Sequence, residues 1–252
     1  MIDRRLAKVR RIILVMSGKG GVGKSVVSAS LAALLSRGGD SVGLMDADIY
    51  GPSAALLLGA HSEPQEGSRG LIPPKVHGIR IMSVDLFAPG KPVPLTGKGA
   101  VQVITEMLAL TYWSSLDFLI VDMPPATSDI MMLFTSLKAK GLAAVVVTMP
   151  DRLSLTVARR VLELLKSGRI PVMGVLGNMV STAQIREAID GGGPRRLADE
   201  YDVRFMGNLP YDSGVRRAAE KGSIKALLGT KFAHELKKSL ELSRELRGPR
   251  SR

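Results

Sequence analysis

Residues 18–25 read Gly-Lys-Gly-Gly-Val-Gly-Lys-Ser. Such a run can grip an anion only if a strand feeds it and a helix leaves it, because the unpaired N–H groups of a helix N-terminus are what hold a phosphate. Both flanks are present. Residues 11–17 (RIILVMS) form a short apolar, β-branched run suited to a buried parallel strand, and residues 25–37 (SVVSASLAALLSR) have helix-compatible spacing. Gly18, Gly20, Gly21 and Gly23 let the backbone around Val22 turn its N–H groups inward, and the cradle extends to Val26 on the first helical turn. Lys24 is placed to reach β- and γ-phosphates, and the Ser25 hydroxyl to ligate Mg²⁺. Lys19 is an additional cation that the minimal G-x-x-x-x-G-K-[ST] pattern does not require.

The remainder of the chain reads as a single domain over residues 1–252. Its 45% hydrophobic content is enough for a sizeable core. Strand-like and helix-like segments alternate from residue 11 to about residue 246 with no long polar linker, which predicts an α/β fold: a three-layer, doubly wound, mostly parallel sheet. No apolar run approaches the roughly 18 residues of a spanning helix. The basic start followed by residues 12–16 runs into the phosphate loop instead of a cleavage site, so a cytoplasmic location is expected.

Zero cysteines fit a reducing compartment and remove every thiolate site for zinc or an iron-sulfur cluster. His61, His77 and His234 are scattered singly, which leaves Mg²⁺ as the expected metal. The net charge is +12. Residues 1–11 hold five basic side chains and one acidic (+4), and residues 231–252 hold seven and three (+4), so two thirds of the excess lies at the ends. A basic arm over residues 1–10 and a basic helix and tail over 231–252 follow, with no interleaved aromatics to stack on bases.

Two further strands end in carboxylates. Residues 41–45 lead into Asp46-Ala47-Asp48-Ile49-Tyr50-Gly51-Pro52-Ser53, and residues 116–121 (LDFLIV) lead into Asp122-Met123-Pro124-Pro125-Ala126-Thr127-Ser128-Asp129. The carboxyl ends of strands form the ligand edge of an open α/β sheet. Alternation points Asp46 and Asp48 to one side. Asp46 is expected in the Mg²⁺ water shell, Asp48 to orient or activate the attacking water, and Asp122 to hold Mg²⁺ in the manner of a Walker B aspartate.

These residues resemble the MinD/ParA superfamily of deviant Walker ATPases, with a P-loop NTPase fold. Within it they are similar to the Mrp/ApbC-like ATPases associated with iron-sulfur cluster delivery. KGGVGKS at 19–25 marks the superfamily; DADIYGPS at 46–53, the W-x-x-LD-x-LIVD-x-PP run at 113–125 and GNM at 177–179 point to the subgroup. The resemblance implies ATP/ADP and Mg²⁺ as ligands and a homodimer sandwiching ATP, in which Lys19 acts on the nucleotide of the second copy as an arginine finger does. It implies a slow ATPase that couples nucleotide state to a protein client, such as an iron-sulfur assembly factor or apo-protein. It also places Asn178, after a strand over 171–176, at the adenine edge, with Leu209-Pro210-Tyr211 as the other wall of the base pocket.

Two departures stand out. The family's Cys-x-x-Cys pair is absent after Asn178-Met179, so no Cys-ligated cluster is expected. Where the family has Pro-Pro-Gly-Thr-Gly-Asp this chain has Pro-Pro-Ala-Thr-Ser-Asp, which loses glycine's access to positive φ at Ala126 and Ser128. An alternative reading, drawn from the basic ends, is a MinD/ParA-like positioning ATPase whose ATP dimer binds membrane or DNA.

Two stretches are read structurally. Residues 59–78, rich in Gly, Pro and Ser, form a surface excursion, a mobile loop or hairpin before a strand over 79–84. Residues 231–247 form an amphipathic helix through Phe232, Leu236, Leu240, Leu242 and Leu246, expected to pack on the sheet.

Overall fold

The computed structural model describes residues 1–91, 97–125, 128–137, 139, 141–181 and 193–242. The chain starts with a short helix, α1 (Ile2–Leu6), and enters the centre of the sheet with β1 (Val9–Met16). It then runs through α2 (Lys24–Arg37), β2 (Val42–Asp46), α3 (Ala54–Leu58), a hairpin of β3 (Gln65–Gly67) and β4 (Gly70–Ile72), β5 (Lys75–Val76) and β6 (Ile79–Met82). A return follows through α4 (Gly97–Leu110) to β7 (Leu116–Asp122). The second half comprises α5 (Ser128–Ser136), β8 (Leu142–Thr148), α6 (Arg152–Ser167), β9 (Val172–Val180), α7 (Gly193–Glu200), β10 (Phe205–Pro210), α8 (Ser213–Glu220), α9 (Ile224–Leu228) and α10 (Lys231–Leu242).

Among the described residues, eight strands make the main sheet in the order β10-β9-β8-β1-β7-β2-β6-β5. Each neighbouring pair is parallel except β5 with β6. β1 is flanked by β7 and β8, and the chain builds outward on both sides of it, so the crevice at its carboxyl end is the expected ligand position. Register puts the carboxylates there: Val15 pairs with Asp122, and Asp122 with Asp46.

Both faces of β1 are covered, which is why its sequence is almost continuously apolar. Ile13 and Val15 join one core with Val27, Leu31 and Leu35 of α2, and with Phe232 and Leu236 of α10. Ile12, Leu14 and Met16 join the other with Trp113, Phe134, Val161 and Leu165. The three-layer doubly wound architecture is therefore as the alternating pattern predicts.

Four details differ from or sharpen the sequence reading. Residues 1–10 are not a solvated arm: Leu6 is buried, and the Arg5 guanidinium donates to the Ala109 carbonyl at 2.9 Å and to the Arg69 carbonyl. Residues 65–72 take the hairpin form and are docked, with Tyr112 N donating to Leu71 O at 2.7 Å and the Arg69 guanidinium 4.5 Å from the Tyr112 ring centroid. β2 runs to Asp46, one residue beyond the predicted end. The terminal helix packs on the sheet as expected, through Phe232, Ala233 and Leu236; Leu246 and residue 247 lie outside the described residues. Among the described residues no helix is long and apolar enough to cross a membrane.

Candidate functional site

The phosphate loop leaves β1 at Ser17 and enters α2 at Lys24. Its shape is fixed by close approach. Gly23 has φ of 83°, and a Cβ there would overlap the Asn178 amide nitrogen. A Cβ on Gly18 would meet the Val157 carbonyl of α6 at 2.5 Å, so this end of the loop rests directly on that helix. At Gly20 and Gly21 an added Cβ would meet nothing within 4 Å, which is the open side of the cradle. The loop opens on a cavity of about 500 Å³ lined by Lys19, Gly20, Gly21, Gly23, Lys24, Ser25, Val26 and Asp48, with Gly51, Ser53, Leu56 and Pro125 completing its far wall.

Lys24 is buried and its Nζ lies 2.7 Å from Asp122 Oδ1 and 4.0 Å from Asp48 Oδ2. Asp122 is fully buried. Its Oδ1 also accepts from Ser28 Oγ at 2.9 Å, while its Oδ2 has no hydrogen-bond donor among the described residues. A buried carboxylate oxygen without a donor is costly unless something else satisfies it. That orphaned oxygen, on the carboxylate bonded to the phosphate-loop lysine, fits a hydrated Mg²⁺ ion held with a nucleotide. Ser28 was missed in the sequence; its signal is its position one helical turn after Lys24, on the same face of α2.

Asp46 has a structural job in addition to the expected one. Its carboxylate accepts from Asp48 N at 3.1 Å, Ser53 N at 2.9 Å and Ala54 N at 2.9 Å, folding residues 48–53 back over the strand end. With three backbone donors on its two oxygens, Asp46 organises the loop that carries Asp48. Burial first, and the neighbouring Asp122 charge second, push its carboxyl up to about 7. Asp48 lies outside the strand, its side chain 17% exposed, with Oδ1 accepting from Gly51 N at 3.3 Å and Oδ2 turned to Lys24. The two aspartates therefore do not act as a pair.

Asn178 stands inside β9 instead of after a strand. Its Nδ2 donates to the Val22 carbonyl at 2.7 Å, so the amide buttresses the loop and any adenine contact falls to Oδ1 or the second N–H. Tyr211 follows β10, is 67% exposed, and lines a separate cavity with Asp212, Arg217 and Lys221. Pro210 ends β10. Neither Pro210 nor Tyr211 lines the cavity around Lys24. Lys19 is exposed, and its carbonyl accepts from Ser17 Oγ at 3.0 Å. The Asp151 carboxyl at the start of α6 is held below its ordinary range, chiefly by hydrogen bonds from Ser154 and in smaller part by the Lys19 charge. Of the two switch-like substitutions, Ala126 lies outside the described residues, as do Thr127 and residues 182–192, and Ser128 begins α5.

A phosphate loop on the central strand of a doubly wound parallel sheet, with a strand-terminal aspartate on the adjacent strand bonded to the loop lysine, defines a P-loop nucleoside triphosphatase. The chain belongs to the ParA family of that class: the family model described as NUBPL iron-transfer P-loop NTPase matches residues 8–245. It is 36% identical over 229 residues to the iron-sulfur cluster carrier protein of Aquifex aeolicus, covering 87% of this chain and 62% of that one. It is 32% identical over 246 residues to the iron-sulfur cluster carrier protein of Methanocaldococcus jannaschii, covering 94% and 85%. This chain thus spans less than two thirds of the Aquifex relative's length. Among solved structures it is similar to the nucleotide-binding protein of Archaeoglobus fulgidus in complex with ADP, with TM-score 0.73 and 30% identity over 89% of this chain and 91% of that one. MinD of Pyrococcus horikoshii with Mg-ADP shares the fold, with TM-score 0.69 at 22% identity over 94% and 97%. The resemblance to the Mrp/ApbC-like subgroup of the MinD/ParA superfamily is borne out, in a member that has no cysteine.

Proposed function

We propose that this chain is a Mg²⁺-dependent ATPase that dimerises around ATP and couples nucleotide state to a protein client in iron-sulfur cluster assembly or transfer, in the cytoplasm. The observation that carries the reading is that Lys24 and Asp48 line one glycine-rich cavity while the Lys24 ammonium is bonded to the buried Asp122. Lys24 binds the β- and γ-phosphate oxygens, and Ser25 with Asp122 holds the metal, which supplies charge neutralisation across those phosphates. Asp48 Oδ2 orients the water that attacks the γ-phosphate and receives its proton. Lys19 of a second copy stabilises the charge that gathers on the transferring group, which makes hydrolysis depend on association. Asn178, Pro210 and Tyr211 remain candidates for the base, Asn178 through Oδ1 or its second N–H.

The names of the relatives support the iron-sulfur context. Without thiolates, this chain's part is to drive or gate a client instead of ligating a cluster through cysteine. Phosphate release measured with Mg-ATP, with and without EDTA, tests the reading together with light scattering in ATP and ADP. Absence of Mg-dependent hydrolysis and of an ATP-dependent change in mass would leave the proposal without support. The alternative, a positioning ATPase that binds DNA or membrane, draws on the +12 charge. It predicts ATP-dependent, salt-sensitive co-sedimentation with DNA or anionic vesicles.

A further inference from the structure

Helices α6 and α7 pack side by side and leave between them a groove of about 270 Å³, separate from the nucleotide cavity. Its floor is apolar, made by Pro150, Leu155 and Leu197, and its rim carries Arg152, Arg159 and Arg196. Among the described residues the groove's lining includes three cations and no acidic side chain. The three arginines are held differently. Arg159 is braced by Glu200, which accepts from Nε at 3.1 Å and from Nη2 at 2.7 Å. Arg152 and Arg196 are exposed, whereas the adjacent Arg195 is packed 4.6 Å from the Phe205 ring centroid.

We propose that this groove docks an acidic segment of the protein client, with carboxylates on the arginine rim and an aliphatic side chain on the leucine floor. The inference rests on the client-coupling reading above. Charge decides the class of occupant: guanidinium groups pair with carboxylates by charge-assisted, often bidentate bonds. Geometry decides its shape. Arg152 and Arg159 stand two helical turns apart, about 10 Å along the axis. Acidic residues two or four apart on an extended segment share one face and span about 7 or 13 Å, which brackets that separation within reach of the long arginine side chains. Position links the groove to the nucleotide, because α6 supplies Arg152, Leu155 and Arg159 to the groove and Val157 as the seat of Gly18 in the phosphate loop.

The test uses the full chain and a fluorescein-labelled hexapeptide, Leu-Asp-Leu-Glu-Leu-Asp, whose acids share one face when extended, read by fluorescence anisotropy, with its Asn/Gln counterpart as the uncharged control. Saturable binding of the acidic peptide is expected, at least about tenfold tighter than that of the control and weakened by salt. The double variant R152E/R196E should lose at least about tenfold in affinity, and Lys8→Glu, just before the amino end of the central strand β1, less than about twofold. Circular dichroism and binding of a fluorescent ADP analogue check that the double variant is folded; if it is not, Arg152→Gln and Arg196→Gln separately carry the comparison. Equal binding of the two peptides, or charge reversal without effect, overturns the docking site. A chain that hydrolyses Mg-ATP yet ignores the acidic peptide overturns the groove alone and leaves the ATPase reading standing.

Discussion

Lys24 Nζ and Asp122 Oδ1 lie 2.7 Å apart, joining the phosphate-loop lysine to the strand-terminal carboxylate through a contact in which the lysine is 7% exposed and the aspartate not at all. Such a pair is costly to break from one side, since the partner left behind is a buried, uncompensated charge. Lys24→Ala is therefore expected to lose nucleotide binding and also about 3–5 kcal/mol of stability. Lys24→Ala combined with Asp122→Asn should recover much of the stability but none of the binding. Urea unfolding followed by the fluorescence of the buried Trp113, beside titration with a fluorescent ATP analogue, separates the two effects.

Asp48 is partly exposed, hydrogen-bonded within its own loop and paired with Lys24 only at a long 4.0 Å, so its removal should spare the fold. Turnover in Asp48→Ala is expected to fall by about 10²-fold or more, the usual worth of a positioned base, while ATP still binds. The ATP-bound dimer should then persist in size-exclusion chromatography. Unchanged phosphate release would exclude Asp48 from the chemistry.

Lys19 is exposed, and its replacement should leave stability within about 0.5 kcal/mol. Lys19→Ala is expected to weaken ATP-dependent dimerisation and hydrolysis together. Static light scattering across a protein concentration series in Mg-ATP is the measurement. A dimer indifferent both to the variant and to nucleotide would count against action across an interface.

Asn178 joins β9 to the loop through one bond to Val22 O. In Asn178→Ala that buried carbonyl loses its donor, at a cost of about 1–3 kcal/mol, and the loop loses its brace. Affinity for ATP and ADP should fall in parallel, by about 5- to 100-fold, with less discrimination against GTP lost than a direct base contact would give. Equal affinities in wild type and variant would remove the buttressing role.

Asp46 gives the chain a pH signature. Burial pushes its carboxyl up to about 7 in the folded state, from an ordinary 3.8 when unfolded, so between those limits the folded state holds the extra proton. Stability from this group is fully present below about pH 4 and is lost as pH rises through about 7. Asp46→Asn, which cannot ionise, should flatten that part of the profile. Thermal melts of both proteins from pH 4.5 to 8.5, compared as a difference, show whether the divergence grows toward high pH as required.

Contiguous stretches of the sequence determined much of this protein. The strand, glycine loop and helix over residues 9–37 are adjacent in the chain, and their geometry is local, so Lys24, Ser25 and the cradle could be read directly. The apolar run ending at Asp122 and the alternation of strand and helix fixed the doubly wound sheet, because period and order leave few topologies open. The missing cysteines needed no structure at all. Tertiary structure alone decided the rest. Asp46 gained the part of loop clamp because Ser53 N and Ala54 N converge on it. Ser28 entered the site through a partner 94 residues away, and Asn178 proved to brace a carbonyl 156 residues distant. The basic start became a packed helix, and the arginine groove exists only where α6 and α7 meet. Those outcomes depend on which long-range hydrogen-bond partners packing brings within reach, and no local pattern in a single chain encodes that choice.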